Sequence, residues 1–378
     1  MFASRNFLLA KGVPLGFGGK LFVWGSNGNG SLGVGDTIDR SSPVQVGATT
    51  DWSRVAIGTN SLGVKNNGTL WAWGSGYYGA LGQNNTIARS SPVQVGALTN
   101  WSIPEVGASH SFCIKTDGTL WSWGNSNYGQ LGHNTVTRLS SPVQIGASTG
   151  WTAISAGDTS AGDKSTLAVD NGKLFSWGRN YIGQLGINNT TDRSSPVQIG
   201  ALTTWATPSS ARHMLCTKTD GTLWSWGLNT VGELGLGNLT TRSSPVQIGA
   251  LTNWSVPTVA ASWSLCTKTD GTLWAWGDNR HGSLGLGDVY IYPPGANRRS
   301  SPVQVGSLTN WAIPFVGNAS GSGCLKTDGT LWAWGRNLNG SSGLGDVVER
   351  SSPVQIGNLT TWTLPSKFEQ VNACLQTP

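Results

Sequence analysis

Hydrophobic and polar residues alternate along the chain in short runs that are separated by glycine-rich turns. In the stretch 101–146, the apolar segments WSIPEVGAS and SFCIKT are followed by Asp117-Gly118 and then by TLWSWG. An Asp-Gly pair between two alternating runs predicts a tight hairpin, because glycine tolerates positive φ. A glycine-rich bend, NSNYGQLGHN, leads to SSPVQIG, whose Pro142 lacks an N–H and therefore suits an outer edge strand. The stretch predicts four short antiparallel strands, which we label A to D.

The same pattern occurs seven times, in units of about 50 residues. Three independent markers agree on this count: the string SSPVQ, a Trp-Gly pair, and the tryptophan that closes a linker resembling LTNW. The linker tryptophans are Trp52, Trp101, Trp151, Trp205, Trp254, Trp311 and Trp362. Four antiparallel strands repeated about a ring form a propeller. We therefore predict an all-β, seven-bladed β-propeller of four-stranded antiparallel blades.

The two ends of the chain predict how the ring closes. The C-terminal segment 372–377, NACLQT, matches SFCIKT of the other units. The N-terminal segment 19–25, GKLFVWG, matches GTLWSWG. We therefore expect the C-terminus to supply strands A and B of one blade and the N-terminus to supply strands C and D.

These motifs resemble the regulator of chromosome condensation repeat. The resemblance rests on the succession of an apolar strand, KTDG, LWSWG, N-x-x-G-x-L-G and P-V-Q, and it covers residues 19–377. It implies a seven-bladed propeller. The near-identity of the copies also resembles propeller proteins that are encoded by bacteria and tailed phages.

Composition and charge narrow the class of protein. The 20 tryptophans indicate an ordered chain, because disordered chains lack large apolar groups. The net charge of +6 is spread over lysines and arginines that stand one or two at a time, so we expect no specific nucleic-acid binding. No apolar stretch approaches the length of a membrane span. The apolar run Phe7–Ala10 is too short for a secretory signal.

The cysteines follow the repeat instead of clustering. Gly63 and Leu167 fill the same repeat position in the two blades that lack a cysteine, which indicates a buried apolar site. The cysteines are Cys113, Cys216, Cys266, Cys324 and Cys374. A metal site needs clustered ligands, so we expect free thiols, no metal and no cofactor.

Two further patterns have a structural interpretation. Gly28-x-Gly30-x-x-Gly33 matches a dinucleotide fingerprint but lacks the helix that the motif needs. The aspartates of the KTDG turns, such as Asp117, are replaced by Asn67 and Asn171 in other blades, which is typical of turn positions. No Ser-His-Asp or Cys-His grouping stands out, so we expect a non-enzymatic protein.

An arginine precedes nearly every SSP string. Each guanidinium either bonds carbonyl groups of its own or the next blade, or contributes to an anion-binding rim. The seven are Arg40, Arg89, Arg138, Arg193, Arg242, Arg299 and Arg350. Nineteen of the 20 tryptophans occupy positions that a packed blade interface would fill, whereas Trp263 lies outside the pattern.

Sequence variation predicts the binding face. In an antiparallel blade the A–B and C–D loops share one face, and these loops differ between units while the B–C and D–A loops are nearly uniform. Both notable insertions, Asp158–Ser165 and Asp288–Arg299, also fall on the variable face. Tyrosine, tryptophan and arginine dominate contact energies in interfaces. The candidate binding residues are Tyr77, Tyr78, His110, Tyr128, Tyr181, Arg212, His213, Trp263, Arg280, His281, Tyr290 and Tyr292. The alternative is that these loops simply drift.

Residues 1–17 precede the first repeat strand, and residues 18–378 make up the propeller. The N-terminal segment is apolar at Phe2, Phe7, Leu8 and Leu9, among others. A free apolar tail would promote aggregation, so we interpret it as a docking peptide that orders against a partner. The alternative is that it folds back and caps the ring.

Three functional hypotheses follow. The first is a non-enzymatic binding or structural propeller, in its specific form a virion accessory protein of a tailed phage attached through the N-terminal peptide. The second is a guanine-nucleotide exchange factor for a small GTPase, the activity best known for the family. The third is a glycan-binding lectin that uses the tyrosines and Trp263.

Overall fold

The computed structural model describes residues 18–157, 164–288, 297–317, 321–368 and 371–377, which form seven four-stranded antiparallel sheets. Three short 3-10 helices lie in C–D bends, at Tyr77–Gly79, Arg280–Gly282 and Leu338–Gly340. The predicted all-β propeller of seven blades is confirmed.

The blades follow one another along the chain, with strands A to D in sequence order. Blade 1 contains β3 (Trp52–Ala56), β4 (Asn60–Lys65), β5 (Leu70–Gly74) and β6 (Arg89–Gln94). Blade 2 contains β7 (Trp101–Val106), β8 (His110–Lys115), β9 (Leu120–Gly124) and β10 (Leu139–Gln144). Blade 3 contains β11 (Trp151–Ala156), β12 (Ser165–Asp170), β13 (Lys173–Gly178) and β14 (Arg193–Gln198).

The next three blades have the same order. Blade 4 contains β15 (Trp205–Ser210), β16 (His213–Lys218), β17 (Leu223–Gly227) and β18 (Arg242–Gln247). Blade 5 contains β19 (Trp254–Val259), β20 (Trp263–Lys268), β21 (Leu273–Gly277) and β22 (Arg299–Gln304). Blade 6 contains β23 (Trp311–Gly317), β24 (Gly321–Lys326), β25 (Leu331–Gly335) and β26 (Arg350–Gln355).

Blade 7 is shared by the two ends of the chain. Its strands are β27 (Trp362–Phe368), β28 (Val371–Gln376), β1 (Lys20–Gly25) and β2 (Arg40–Gln45). Strands β1 and β28 pair antiparallel, from Lys20 opposite Gln376 to Gly25 opposite Val371. The predicted closure of the ring is therefore confirmed, and it uses backbone hydrogen bonds rather than a covalent link.

The hydrophobic core lies between the blades. The cluster between blades 2 and 3, for example, joins Phe112 and Leu120 of one blade to Trp151 and Trp177 of the next. Each of the seven neighbouring pairs of blades has such a cluster. A single blade therefore cannot bury its apolar surface alone, and stability depends on the complete ring.

The A strands line the axis and are joined by side chains. Glu105 Oε1 accepts a hydrogen bond from the Ala156 amide at 3.1 Å, across the interface of blades 2 and 3. Ser155 Oγ accepts in the same way from the Ser210 amide at 3.0 Å in the next blade. Ser209 bonds Val259 at 3.1 Å and Ser366 bonds Ile57 at 3.2 Å. A cavity of about 170 Å³ remains on the axis, between the A strands.

Candidate binding face

The uniform face is held by the B–C turns. Asp117 Oδ1 accepts hydrogen bonds from the amide and the hydroxyl of Thr119, at 2.9 and 2.7 Å. Thr119 Oγ1 in turn accepts from Trp121 Nε1 at 2.9 Å. In blade 4 the hydroxyl and amide of Thr222 hold the pKa of Asp220 below its usual value. These carboxylates are therefore occupied by turn geometry, as the sequence predicted.

The C–D bends of the other face are anchored to the following blade. In blade 1 the Ala80 carbonyl accepts from Trp123 Nε1 at 2.9 Å and from Ser111 Oγ at 2.7 Å, both in blade 2. Gly82 has a φ of +68°, and a Cβ there would lie 2.9 Å from the Trp123 Nε1. Only glycine fits this position, because a side chain would be strained and would strike the indole. The tryptophan of every Trp-Gly pair is buried, so these seven side chains belong to the scaffold and are not sugar-stacking surfaces.

The pattern Gly28-x-Gly30-x-x-Gly33 belongs to the same kind of bend. Gly30 and Gly33 have positive φ, and Gly33 lies against the Trp73 ring of blade 1. This pattern is therefore the glycine-rich bend of its blade, packed against the next blade, which is the interpretation that the sequence favoured over a nucleotide site. The five cysteines are free and buried, as predicted. Burial raises the pKa of Cys113 to about 12, so the neutral thiol is the stable form.

Three candidate binding residues do not reach the surface, and their assignment was wrong. His110, His213 and Trp263 begin strand B in their blades, and their side chains point into the interface with the next blade. His213 Nε2 lies 2.7 Å from Ser264 Oγ, and Trp263 Nε1 donates to Ser322 Oγ at 2.9 Å. Burial lowers the pKa of His110 and of His213 to about 3, so both imidazoles are neutral.

The four tyrosines of the C–D bends are exposed or half-buried at the surface, and three of them stack with cations. The Arg138 guanidinium lies 4.2 Å from the Tyr78 ring centre, across the interface of blades 1 and 2. The Arg179 guanidinium lies 4.6 Å from the ring centre of Tyr128 and 4.4 Å from that of Tyr181. Tyr77 packs edge-on against Tyr78 and is 63 % exposed.

A third cation joins this group. The Lys164 ammonium lies 5.7 Å from the Tyr128 ring centre. Burial lowers the pKa of Lys164, and the charges of Arg179 and Arg138 lower it further. Blades 1 to 3 therefore present alternating tyrosines and cations on the A–B and C–D face. We call this surface the Tyr-cation stack; it consists of Tyr77, Tyr78, Tyr128, Arg138, Lys164, Arg179 and Tyr181.

The remaining candidates lie apart from the Tyr-cation stack. In blade 5, Arg280 Nε pairs with Asp278 at 2.5 Å, and His281 Nδ1 lies 2.9 Å from a Glu349 oxygen of blade 6. Arg212 is half-buried in blade 4. Tyr290 and Tyr292 lie outside the described residues, as do Phe2, Phe7, Leu8 and Leu9 of the N-terminal segment.

The rim arginines bond within their own blade in several cases. Arg40 Nη1 donates to the Ile38 carbonyl at 2.7 Å, and Arg350 Nη1 donates to the Val348 carbonyl at 2.9 Å. Arg193 Nη1 donates to the Asp192 carbonyl at 3.3 Å. The interpretation as own-blade hydrogen bonds therefore holds for these three positions.

The sequence interpretation missed one feature of the uniform face. Four of the D–A loops expose a leucine, each with 47–50 % of its surface accessible. These are Leu98, Leu202, Leu251 and Leu308. The signal was visible, because an apolar residue stands in the middle of the polar turn sequence GALTN and GSLTN.

The described residues offer no group of three His, Cys, Asp or Glu side chains that could hold a metal ion. Among the same residues, no helix is long and apolar enough to cross a membrane.

Comparison with known proteins places the fold. The solved structure of human WBSCR16 has 19% sequence identity, a TM-score of 0.82, and covers 95% of this chain and 99% of its own. Prp20p from Saccharomyces cerevisiae has 18% identity and a TM-score of 0.83, covering 100% and 95% of the two chains. Yeast RCC1 (Prp20) bound to Kap60 has 18% identity and a TM-score of 0.83, covering 100% and 94%. At these identities the likeness concerns the fold alone.

No curated protein matches the chain. Residues 270–324 match the model of the Regulator of chromosome condensation (RCC1) repeat. Residues 13–262 match the model of the RCC1-like domain. Because that second match spans more than half of the chain, this protein belongs to the RCC1-like family.

Proposed function

We propose that this protein is a non-enzymatic binding propeller that recognises a protein partner through its A–B and C–D face. The observation that carries the proposal is the Tyr-cation stack, which gathers surface tyrosines and arginines from three consecutive blades. Arginine and tyrosine are enriched among the residues that dominate binding energy. They stand on loops that differ between blades, whereas the turns of the other face repeat almost unchanged.

The state of the reactive side chains supports a role without catalysis. The cysteines are buried thiols, His110 and His213 are buried neutral imidazoles, and the turn aspartates are hydrogen-bonded to their own threonines. An acid–base or nucleophilic mechanism needs such groups at a substrate-accessible site with a suitable pKa. None of these side chains meets that requirement.

The experiment is site-specific photocrosslinking. A benzophenone amino acid placed at Tyr77, which is 63 % exposed, should crosslink a partner in extracts of the native host. The same amino acid at Leu202, which is 49 % exposed on the opposite face, is the matched control. Equal crosslinking from both positions, or crosslinking from Leu202 alone, would contradict the choice of face.

A guanine-nucleotide exchange role is the second candidate, because the fold is shared with Prp20p, whose structure was described with its binding to Gsp1p and histones. Histones are basic, and the net charge of +6 on this chain opposes their binding. For a small GTPase, the direct measurement is the rate of nucleotide release. We expect no acceleration by this protein, and an increase of about a hundredfold would favour the exchange role.

The most specific form of the proposal is a virion accessory protein that is attached by residues 1–17. It rests on the resemblance to phage-encoded propellers with near-identical repeats. Removing residues 1–17 should leave the propeller folded and abolish its incorporation into the particle. Incorporation of the shortened protein at full occupancy would refute the attachment role.

The burial of Trp263 argues against the lectin hypothesis. Trp263 is 7 % exposed and its indole bonds Ser322 in the next blade, so a sugar ring cannot stack on it.

A further inference from the structure

The rim arginines fall into two groups according to the residue that faces them. In blades 5, 6 and 7, each arginine pairs with an aspartate of the same C–D bend. The distances from Nη2 to Oδ2 are 2.5 Å for Arg299 with Asp288, 2.7 Å for Arg350 with Asp346, and 2.5 Å for Arg40 with Asp36. These three blades are consecutive around the ring, and their rim charges are neutralised.

The other four blades are also consecutive, and they lack the aspartate. Asn238 Oδ1 accepts from the Thr240 amide at 3.0 Å, as Asp346 Oδ1 accepts from the Val348 amide at 3.0 Å, so both residues form the same turn. The second oxygen of the aspartate is replaced by an amide nitrogen, which donates to the Leu236 carbonyl. Blades 1 to 4 carry, at this position, Asn85, Thr135, Asn189 and Asn238. The turn is kept and the ion pair is lost.

Four arginines consequently keep an unneutralised charge. Within the described part of the chain no carboxylate oxygen lies within 4.0 Å of them: Arg89, Arg138, Arg193 and Arg242. The C–D bends of these blades contain two carboxylates, Asp192 and Glu233. Asp192 accepts from the Asn180 amide at 2.7 Å, and Glu233 accepts from the Val231 amide at 2.8 Å.

Arg242 of blade 4 is the clearest example among these four arginines. Its Nε is buried without a hydrogen-bond partner. It lines a groove of about 560 Å³ between blades 4 and 5, together with Lys268, whose ammonium lies 3.7 Å from the Trp274 ring centre. Among the described residues, no aspartate or glutamate lines the groove.

The geometry points to an acidic polypeptide segment as the ligand of blades 1 to 4, bound along the arc of rim arginines that lack a carboxylate. This inference rests on the proposed function and names the chemistry of the partner. The arginine guanidinium is planar and has several N–H donors, so it can bind a carboxylate through two hydrogen bonds at once. The arc adjoins the Tyr-cation stack, since Arg138 belongs to both. Nucleic acid fits less well, because a duplex carries one charge per 1.7 Å or so of its axis, whereas the rim offers a single arginine per blade.

The test introduces, at the equivalent positions, the aspartate that other blades of the same chain already have. The triple substitution N85D/N189D/N238D installs in three bends the aspartate that blades 5 to 7 already contain, so the turns are preserved. The probe is a fluorescein-labelled peptide of twelve glutamates, and the measurement is fluorescence anisotropy at low salt. We expect the triple variant to bind about tenfold more weakly than the native protein.

Two controls separate the arc from the overall charge. The substitution T99D/T252D/T309D adds the same three charges at exposed threonines of the D–A loops, on the opposite face, and should leave the affinity within about twofold. The substitution D36N/D346N releases Arg40 and Arg350 and should strengthen binding. Circular dichroism and thermal melting show whether each variant is folded.

Any of three results would overturn the inference. The first is equal binding of the peptide by the native protein and the N85D/N189D/N238D variant. The second is equal weakening by the variant with charges on the opposite face. The third is tighter binding of a 20-base-pair duplex than of the peptide, lost in the same triple variant, which would assign the arc to nucleic acid. Crosslinking from Tyr77 is independent of all three results. A failed peptide test with successful crosslinking therefore leaves the binding face standing and removes only the acidic partner.

Discussion

Acid should weaken this propeller through two buried histidines, and the chain itself supplies the substitution that tests this. His110 and His213 begin strand B in blades 2 and 4, where blade 1 has Asn60. Asn60 Nδ2 donates to Ser111 Oγ of the next blade at 2.9 Å, and His213 Nε2 lies 2.7 Å from the equivalent Ser264 Oγ. The double substitution H110N/H213N therefore places in both interfaces a side chain that already works in one.

The sign follows from the shift in pKa. Burial lowers the folded-state pKa of each histidine from 6.5 to about 3, while the unfolded chain keeps the ordinary value. Between these values the unfolded state binds protons that the folded state does not. Stability is therefore complete above pH 6.5 and falls as the pH drops toward 3. At pH 4.5 the loss relative to pH 7 is about 2.5 kcal/mol for each histidine and about 5 kcal/mol for both.

The assay is the free energy of unfolding by urea at pH 7 and at pH 4.5, for the native protein and for H110N/H213N. Aspartates whose pKa is lowered in the fold, such as Asp220 and Asp270, also weaken the protein in acid. They are present in both proteins, so their effect cancels in the difference. We expect the double variant to lose about 5 kcal/mol less than the native protein between the two pH values. Equal losses in the two proteins would refute the argument.

Three further predictions concern the scaffold. Deleting residues 369–378 removes β28 and its pairing with β1, so the midpoint of thermal unfolding should fall sharply; an unchanged midpoint would exclude closure by this strand. G235A should destabilise more than G249A, because both have positive φ but only Gly235 lies against an indole, with its added Cβ 2.9 Å from Trp276 Nε1. G249A should cost only the backbone strain, about 1–2 kcal/mol in urea unfolding, and equal losses would show that the indole contact is unimportant. The five thiols should react with iodoacetamide only after unfolding, and rapid labelling of the native protein would contradict their burial.

The repeat made most of the fold predictable from the sequence. Comparison of the seven copies shows which residues can replace one another at each position, and this distinguishes a structural residue from a reactive one. The turn role of Asp117 and the burial of Cys113 were both inferred correctly in this way. The match of residues 372–377 to strand B of other units likewise predicted the closure between β28 and β1.

The candidate site was harder to predict, because the strand boundary decides which way a side chain points. His110, His213 and Trp263 stand next to the variable A–B tips in the sequence, so they were interpreted as surface residues. Strand B already begins at these positions, and the first residue of the strand faces the next blade. Asn60 at the same position did not indicate burial, because asparagine is common at loop tips and can also form a hydrogen bond within an interface.

The contacts that anchor each C–D bend to the next blade also affect how the variable face would bind a partner. The C–D bend that carries Tyr78 is anchored through the Ala80 carbonyl to Ser111 and Trp123, and its Asn84 amide donates to the Ser140 carbonyl at 2.8 Å. All three partners belong to the next blade, so the bend is fixed at Ala80 and at Asn84, which both follow the tyrosine in the chain. Binding loops that are already ordered lose little conformational entropy when a partner docks. The glycines and tryptophans that anchor the C–D bends therefore contribute to recognition indirectly, by fixing the bends that carry the surface tyrosines.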